Sequence, residues 1–204
     1  MTRVLIVGAA GMVGVKLTRR LVADGAVAGK PITTLGLADI VAPAKPAGVP
    51  FAVETQAADA SAPGVAEKLV ASRPDIIFHL AAIVSGEAEA DFEKGYRVNL
   101  DGTRFLFEAI RKVGDGYRPR VVFTSSIAVF GAPFPDAISD EFFLTPLTSY
   151  GAQKAIDELL LSDYTRRGFM DGVAIRLPTI CVRPGKPNKA ACGCVAGMIR
   201  EALA

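Results

Sequence analysis

The sequence has 204 residues, of which 50% are hydrophobic and 22% charged, with a net charge of +2 and no tryptophan. This length and composition fit one large α/β domain, or one domain with a small appendage, and show no sign of disorder. The weak charge argues against a nucleic-acid surface, and no run of eighteen uncharged apolar residues could span a membrane. We therefore expect a cytoplasmic protein.

The chain begins with an expected strand that turns into a helix through three glycines. Residues 3–7 form a short apolar run typical of a strand buried on both faces, and apolar residues then recur at helical spacing as far as Gly25. Gly8 would permit the tight turn, Gly11 the close approach of a pyrophosphate, and Gly14 the close packing of helix on strand. This pattern predicts a dinucleotide-binding turn. Because it has one residue more than G-x-G-x-x-G between the first two glycines, a glycine turn without a ligand is the alternative.

The cofactor prediction also depends on the start of this helix and the end of the next strand. The first helical N–H groups, from Met12 and Val13, and the positive end of the helix dipole would face the phosphates. The second expected strand, residues 32–38, is followed by Asp39, where a dinucleotide fold places an acid on the ribose hydroxyls of NAD. Because no arginine follows Asp39 to meet a 2′-phosphate, we expect NAD rather than NADP. A solvated loop acid is the alternative.

Strands and helices continue to alternate, which predicts right-handed crossovers and a Rossmann-type α/β fold: a doubly wound parallel sheet with helices on both faces. Further strands are expected at 51–55, 75–80, 120–125 and 173–177, and helices at 61–72, at 87–113 with an interruption near Gly95, and at 149–167. The strand at 75–80 ends at Leu80 and is followed by Ala81 and Ala82. These small residues leave room for a ligand at the carboxyl edge of the sheet. His79, the only histidine, is expected to be a core imidazole rather than a catalytic one.

A tyrosine and a lysine in the helix at 149–167 predict proton transfer. Tyr150 and Lys154 are four residues apart, so they share one helix face. A tyrosine has a pKa of about 10, and a nearby ammonium stabilises the phenolate and lowers that pKa. Ser126, just beyond a strand end, would hold the substrate oxygen at the same edge. The Tyr–Lys spacing alone also fits an exposed helical pair, but the glycine turn and the serine together favour hydride chemistry.

These motifs together resemble the extended short-chain dehydrogenases, the NAD-dependent epimerase/dehydratase group. The resemblance covers residues 2–188 and rests on the glycine turn, the Tyr150/Lys154 pair and several short segments: Asp39, 58–59, 79–82, Asn99, 125–126 and 129–131. It implies that Tyr150 is the catalytic base, that Lys154 lowers its pKa and binds the nicotinamide ribose, and that Ser126 orients the substrate.

The resemblance also implies a set of cofactor contacts. Asp59 would contact the adenine, and Asn99 would support the active-site helix and its water. The remaining cofactor residues implied are Gly8, Gly11, Met12, Val13, Gly14, Asp39, Leu80, Ala81, Ala82 and Pro178, together with Tyr150 and Lys154. No metal site is expected.

Two segments, 98–103 and 176–185, most resemble a subgroup that oxidises D-erythronate, a four-carbon sugar acid. This implies an NAD-dependent dehydrogenase acting on a small sugar acid. A nucleotide-sugar epimerase or dehydratase is one alternative, and an NAD-binding module with little or no turnover is another. Release of NADH distinguishes the first two, because an epimerase returns the hydride to its substrate.

The resemblance bears on domain organisation and assembly as well. Residues 1–188 are expected to form the NAD-binding domain and 189–204 a short helical tail, whereas members of the group continue into a lobe that closes over the substrate. Turnover by this chain alone is therefore expected to be slow. A homodimer is implied, with apolar positions on two helices at Phe105, Ile110, Leu159 and Leu160. The alternative is that these residues face the chain's own sheet.

The cysteines predict neither a disulfide framework nor a zinc site. Cys181, Cys192 and Cys194 are odd in number, and the C-x-C pair lacks further ligands. We expect reduced thiols.

Overall fold

The structure is a computed structural model that describes residues 2–180. The expected tail at 189–204 and the three cysteines lie outside the described residues. The strands are β1 (Thr2–Val7), β2 (Ala26–Val27), β3 (Lys30–Asp39), β4 (Ala52–Ala57), β5 (Ile76–His79), β6 (Arg120–Ser126) and β7 (Asp171–Leu177). The helices are α1 (Met12–Asp24), α2 (Val65–Val70), α3 (Ser85–Ala90), α4 (Phe92–Gly95), α5 (Gly102–Val113) and α6 (Ser149–Arg166).

Six of these strands form a parallel sheet in the order β4-β3-β1-β5-β6-β7, and the short β2 pairs antiparallel with β3. The chain order reverses at the centre, between β1 and β5, which is the strand order of a dinucleotide-binding fold. The predicted Rossmann-type fold class is confirmed. Ligands in such sheets bind outside the carboxyl ends of the strands, beside this reversal.

Each face of the sheet packs against helices, as expected of strands buried on both sides. In β1, Leu5 and Val7 belong to the core beneath α2, α5 and α6. The alternate residues Val4 and Ile6 belong to a second core, which also contains Leu21 of α1. Among residues 2–180, no helix is both long and apolar enough to cross a membrane.

The helical region at 85–113 differs from the predicted one. The interruption lies at Asp91, whose non-helical backbone separates α3 from α4, and not at Gly95, which keeps helical dihedrals. A π-helical turn, Tyr96–Asp101, then joins α4 to α5. A Cβ on Gly95 would lie 2.8 Å from the side-chain nitrogen, Nε2, of Gln153 in α6. Gly95 therefore serves close helix packing rather than a helix break.

Helix α2 begins at Val65, later than the predicted start at residue 61. The Ser61 amide and hydroxyl both donate to the Asp59 carboxylate, at 2.9 and 2.5 Å. Because these bonds hold a local turn, the serine does not cap a helix. By contrast, α1 ends as predicted at Gly25, which adopts a left-handed conformation and donates to the Leu21 carbonyl.

Candidate active site

The glycine turn between β1 and α1 excludes side chains for two different reasons. Gly8 has a positive φ of 95°, and a Cβ on it would lie 2.6 Å from the Ala81 nitrogen, while a Cβ on Gly14 would overlap the Gly8 carbonyl oxygen. These two glycines are required by the fold itself. A Cβ on Gly11 would lie 3.4 Å from the Gly8 carbonyl oxygen, which is ordinary contact distance, and Gly11 is exposed. Packing does not require a glycine at this position, where the sequence predicts the close approach of a pyrophosphate.

Asp39, the last residue of β3, is tied to this turn. Its Oδ2 atom accepts a hydrogen bond from the exposed Ala10 amide at 2.9 Å. The acid is thus held at the carboxyl edge of the sheet beside the glycines, where the sequence predicts a ribose contact. It also has a structural task that the sequence did not predict, because it stabilises the loop between Gly8 and Gly11.

Three adjoining pockets form a groove along the carboxyl ends of the strands. The tyrosine pocket, of about 430 Å³, contains seven of the predicted site residues: Val13, Leu80, Ala82, Ser126, Tyr150, Lys154 and Pro178. The aspartate pocket, of about 40 Å³, contains four more: Gly8, Asp39, Asp59 and Ala81. The arginine cleft, of about 630 Å³ and lined by Arg97, shares Ala82 with the first and Asp59 with the second. Gly11 lies in the adjacent turn and Met12 and Gly14 in the first turn of α1, so the predicted cofactor residues border this groove.

The start of α6 positions Tyr150 and Lys154. The Thr148 side chain caps the helix by accepting from the Gly151 amide at 3.1 Å, and Glu89 of α3 accepts from the Ser149 amide at 3.0 Å. The Lys154 Nζ atom lies 5.9 Å from the centre of the Tyr150 ring and 4.5 Å from that of Phe123. The two predicted catalytic side chains therefore share one helix face above the sheet edge.

The surroundings of Lys154 and Ser126 bear on their chemistry. Lys154 is 1% exposed, and burial lowers the pKa of its ammonium while the charges of nearby Asp157 and Glu158 oppose that change. Ser126 is the last residue of β6, and its hydroxyl oxygen accepts from the Ala128 amide at 3.2 Å. That bond uses a lone pair of the oxygen and fixes its position in the tyrosine pocket.

His79 is a core residue, as the sequence predicts. It is 1% exposed, and its Nε2 atom lies 2.9 Å from the Thr103 hydroxyl. Burial and the charge of Lys154 lower the pKa of the imidazole to about 3, so it is neutral at physiological pH.

Asn99 is fully buried in the π-helical turn and acts through hydrogen bonds. Its side-chain oxygen accepts from the Ile83 amide at 2.9 Å, and its nitrogen donates to Gln153 at 2.7 Å. It thereby connects the segment after β5 to the helix that carries Tyr150. A π-helical turn shifts the helical register by one residue, and such turns often occur at functional sites.

Asp59 has a partner that the sequence did not reveal. Its Oδ2 atom accepts from Arg97 at 3.1 Å, and Arg97 also donates to the Ser61 hydroxyl at 2.5 Å. These hydrogen bonds with Ser61 and Arg97 lower the pKa of the Asp59 carboxyl and outweigh the opposing effect of burial. The carboxylate is fixed between the aspartate pocket and the arginine cleft.

A partly buried ion pair supports the loop between β6 and α6. Arg176 of β7 donates to both carboxylate oxygens of Glu158, at 2.8 to 3.2 Å, and the Ser125 hydroxyl donates to the same carboxylate. Arg176 also donates to the Asp140 carbonyl at 2.8 Å and lies over the Phe130 ring. This contact sets the path of the chain that leads to Tyr150.

The described residues also lack a metal site. No group of three or more His, Cys, Asp or Glu side chains among residues 2–180 could hold a metal ion.

Comparison with known proteins agrees with the geometry. Residues 4–204 match the NAD dependent epimerase/dehydratase family. The chain is 50% identical to the D-erythronate dehydrogenase of Cupriavidus necator and 43% identical to that of Haemophilus influenzae, in each case over 98% of this chain and 62% of the relative. It thus spans somewhat less than two thirds of the length of these relatives.

Solved structures show the same fold. The nucleoside-diphosphate-sugar epimerase from Agrobacterium tumefaciens is 68% identical, with a TM-score of 0.95 over 99% of this chain and 60% of that protein. A UDP-glucose 4-epimerase from Thermus thermophilus, solved in complex with NAD, is 26% identical with a TM-score of 0.76, over 94% of this chain and 59% of that protein.

Proposed function

This chain belongs to the NAD dependent epimerase/dehydratase family, and we propose that it is part of an NAD-dependent oxidoreductase that oxidises a hydroxyl of a small sugar acid such as D-erythronate. The main support is the tyrosine pocket, which gathers Ser126, Tyr150 and Lys154 beside the glycine turn. The sequence identity to two D-erythronate dehydrogenases favours the sugar acid. Because the relatives are longer, the activity is proposed for the whole protein.

Each of the three side chains has a task in this reaction. Ser126 orients the substrate hydroxyl, and Lys154 stabilises the phenolate form of Tyr150. The phenolate takes the hydroxyl proton and becomes a neutral phenol. NAD would be held by the glycine turn, Asp39 and Asp59, and its chemistry is to accept the hydride from the carbon that bears the hydroxyl. The protein's contribution is to hold that carbon and the transferring proton in place.

A nucleotide-sugar epimerase is the second candidate function, favoured by the 68% identity to the Agrobacterium tumefaciens nucleoside-diphosphate-sugar epimerase. The two activities differ in where the hydride ends. A dehydrogenase leaves it on the cofactor and accumulates NADH, whereas an epimerase returns it to the sugar. Recording NADH while the protein is supplied with aldonic acids or UDP-sugars therefore separates them.

We expect NAD to bind more tightly than NADP, because a 2′-phosphate would meet the Asp39 carboxylate. Replacing Asp39 with asparagine should narrow the difference in affinity by roughly tenfold or more, since juxtaposed like charges cost several kcal/mol. Asparagine keeps an oxygen that can accept from Ala10, so the glycine turn should survive. Calorimetric titration with both cofactors measures the effect.

The matched control is Asp24→Asn, which removes an exposed carboxylate at the far end of α1, where it pairs with Arg20. It should leave both affinities unchanged. Equal affinity of the unaltered protein for NAD and NADP would rule out the ribose contact at Asp39.

The structure narrows the surface available for the proposed homodimer. Ile110 is fully buried in the chain's own core, and Phe105 and Leu160 pack partly against that core. Ile110 is therefore unsuitable as a contact to a partner, contrary to the sequence-based expectation. Leu159 is 64% exposed on α6, and Ile156 on the same helix is also exposed. We propose that α6 forms a twofold interface around Leu159.

Light scattering at micromolar concentration should give twice the chain mass of 21.4 kDa. Leu159→Glu should give the monomer mass, because two glutamates would meet across the twofold axis. Phe134→Ser, at an exposed apolar residue of the loop before α6, is the control and should remain a dimer. A monomer mass for the unaltered protein would remove the proposed interface.

A further inference from the structure

A cluster of buried polar side chains lies between β5, α5 and α6, behind the tyrosine pocket. Its members are at most 1% exposed: His79, Asn99, Thr103, Gln153, Lys154 and Asp157. Asp157 has no role in the proposed function. It follows Lys154 by three residues, so both side chains project from neighbouring positions on one face of α6.

The hydrogen-bond distances of the Thr103 hydroxyl indicate that Asp157 is protonated. Its oxygen lies 2.6 Å from the Asn99 carbonyl, 2.9 Å from His79 Nε2 and 3.4 Å from Asp157 Oδ2. The hydroxyl has one proton, which goes to the Asn99 carbonyl because that acceptor is nearest and cannot donate. His79 is neutral and can donate through Nε2. The long contact with Asp157 is then favourable only if Asp157 supplies a proton.

The surroundings of the other carboxyl oxygen of Asp157 also indicate that Asp157 is protonated. Oδ1 is buried and has no hydrogen-bond partner among residues 2–180. An ionised carboxylate in such a place is costly, whereas an acid that donates to Thr103 is not. Burial raises the pKa of the Asp157 carboxyl, and the charge of Lys154 and the contact with the Thr103 hydroxyl only partly oppose this.

The surrounding charged groups leave Lys154 as the group on which Asp157 can act. His79 faces the cluster from β5 and is neutral, while α5 contributes Thr103, which does not titrate. On α6, Glu158 is already paired with Arg176. Asp157 and Lys154 are thus electrostatically linked without a direct ion pair within 4.0 Å.

We propose that Asp157 is a positioning residue for Lys154. At neutral pH Asp157 is uncharged and leaves the Lys154 ammonium directed at Tyr150. In alkaline solution Asp157 ionises, and its negative charge helps Lys154 to keep its proton. This inference rests on the proposed function of Lys154. An ionised Asp157 at neutral pH would instead draw the ammonium along α6, away from the tyrosine pocket.

Thermal unfolding tests the protonation state without any activity. Because the pKa of Asp157 is raised in the folded protein, the unfolded chain releases this proton first, and the carboxyl costs stability increasingly as the pH rises above its ordinary value of 3.8. An asparagine does not titrate. Asp157→Asn should therefore raise Tm relative to the unaltered protein by about 2–4 °C or more at neutral pH, and by less near pH 5.

The matched control is Glu158→Gln on the same helix, which removes a carboxylate that is held by Arg176 and should lower Tm at neutral pH. A lower Tm for Asp157→Asn at neutral pH would mean that Asp157 is ionised and stabilised by Lys154, which overturns the proposal. A gain in Tm that is equal at both pH values would also overturn it, because the gain would not come from ionisation.

The pH dependence of NAD affinity tests the action on Lys154. The charge of Asp157 raises the pKa of Lys154, so Asp157→Asn should make the ammonium lose its proton at lower pH. The alkaline loss of NAD affinity, measured by calorimetry, should shift to lower pH in this variant. An unchanged profile would show that Asp157 does not act through Lys154. Failure of the unaltered protein to bind NAD would count against the proposed function, while the unfolding experiment would still decide the state of Asp157.

Discussion

Replacing Tyr150 with phenylalanine is expected to lower turnover by about 100-fold or more, the usual loss when a general base is removed. The substitution deletes the hydroxyl that would take the substrate proton but keeps the ring whose centre lies 5.9 Å from Lys154 Nζ. NAD binding should therefore remain largely unchanged. Steady-state kinetics and calorimetric NAD titration of the same preparation measure the two effects.

Tyr164→Phe is the control, because Tyr164 belongs to the same helix and its hydroxyl donates to Glu108 rather than lining the tyrosine pocket. It should retain normal turnover. If Tyr150→Phe also kept near-normal turnover, proton transfer would have to be assigned to another group.

Replacing Glu158 with glutamine is expected to cost about 1.5–3 kcal/mol of the free energy of unfolding, the range for hydrogen bonds to charged groups, because the ion pair is only partly buried. The Glu158 side chain is 9% exposed, and its loss of charge would leave the Arg176 guanidinium without a counter-ion. Each kcal/mol corresponds to a fall in Tm of roughly 2–4 °C for a chain of this size. Thermal unfolding followed by circular dichroism measures it.

The control is Asp163→Asn on the same helix, because Asp163 and its partner Arg166 are 57% and 71% exposed. Its effect on Tm should be small, because water and salt screen exposed ion pairs. Equal effects of the two substitutions would mean that the Glu158–Arg176 pair does not hold the loop before α6.

The sequence was sufficient to predict those site residues whose role depends on backbone geometry or on a short spacing along the chain. Gly8 and Gly14 were predicted from the strand-to-helix pattern, and the structure shows that side chains there would overlap neighbouring backbone. Tyr150 and Lys154 were placed on one face because helical periodicity fixes residues four apart. The alternation of strands and helices was sufficient to predict a doubly wound parallel sheet.

Contacts between distant segments could not be predicted in this way. Gly95 was interpreted as a helix break because glycine weakens helices, yet its role is to let α6 approach, and only the packed structure shows Gln153 opposite it. Likewise, Arg97 lies 38 residues from Asp59 in the sequence, and no local pattern connects them.

The buried polar face of α6 was missed for a related reason. Hydrophobic periodicity assigns polar residues to the solvent side of a helix. Gln153 and Asp157 are nevertheless fully buried, because Asn99 and Thr103 of the facing helical segment supply their hydrogen-bond partners. Their spacing of four residues, with Lys154 between them, was the available signal, but it does not say which face is buried.

The most direct test of the proposed function is to mix the protein, in excess over NAD, with D-erythronate and to record NADH absorbance. An excess of protein makes even slow turnover visible. We predict that NADH accumulates with D-erythronate or a related aldonic acid and not with UDP-glucose. Conversion of a UDP-sugar to its epimer without NADH release, together with no NADH from any aldonic acid, would contradict the proposed dehydrogenase activity.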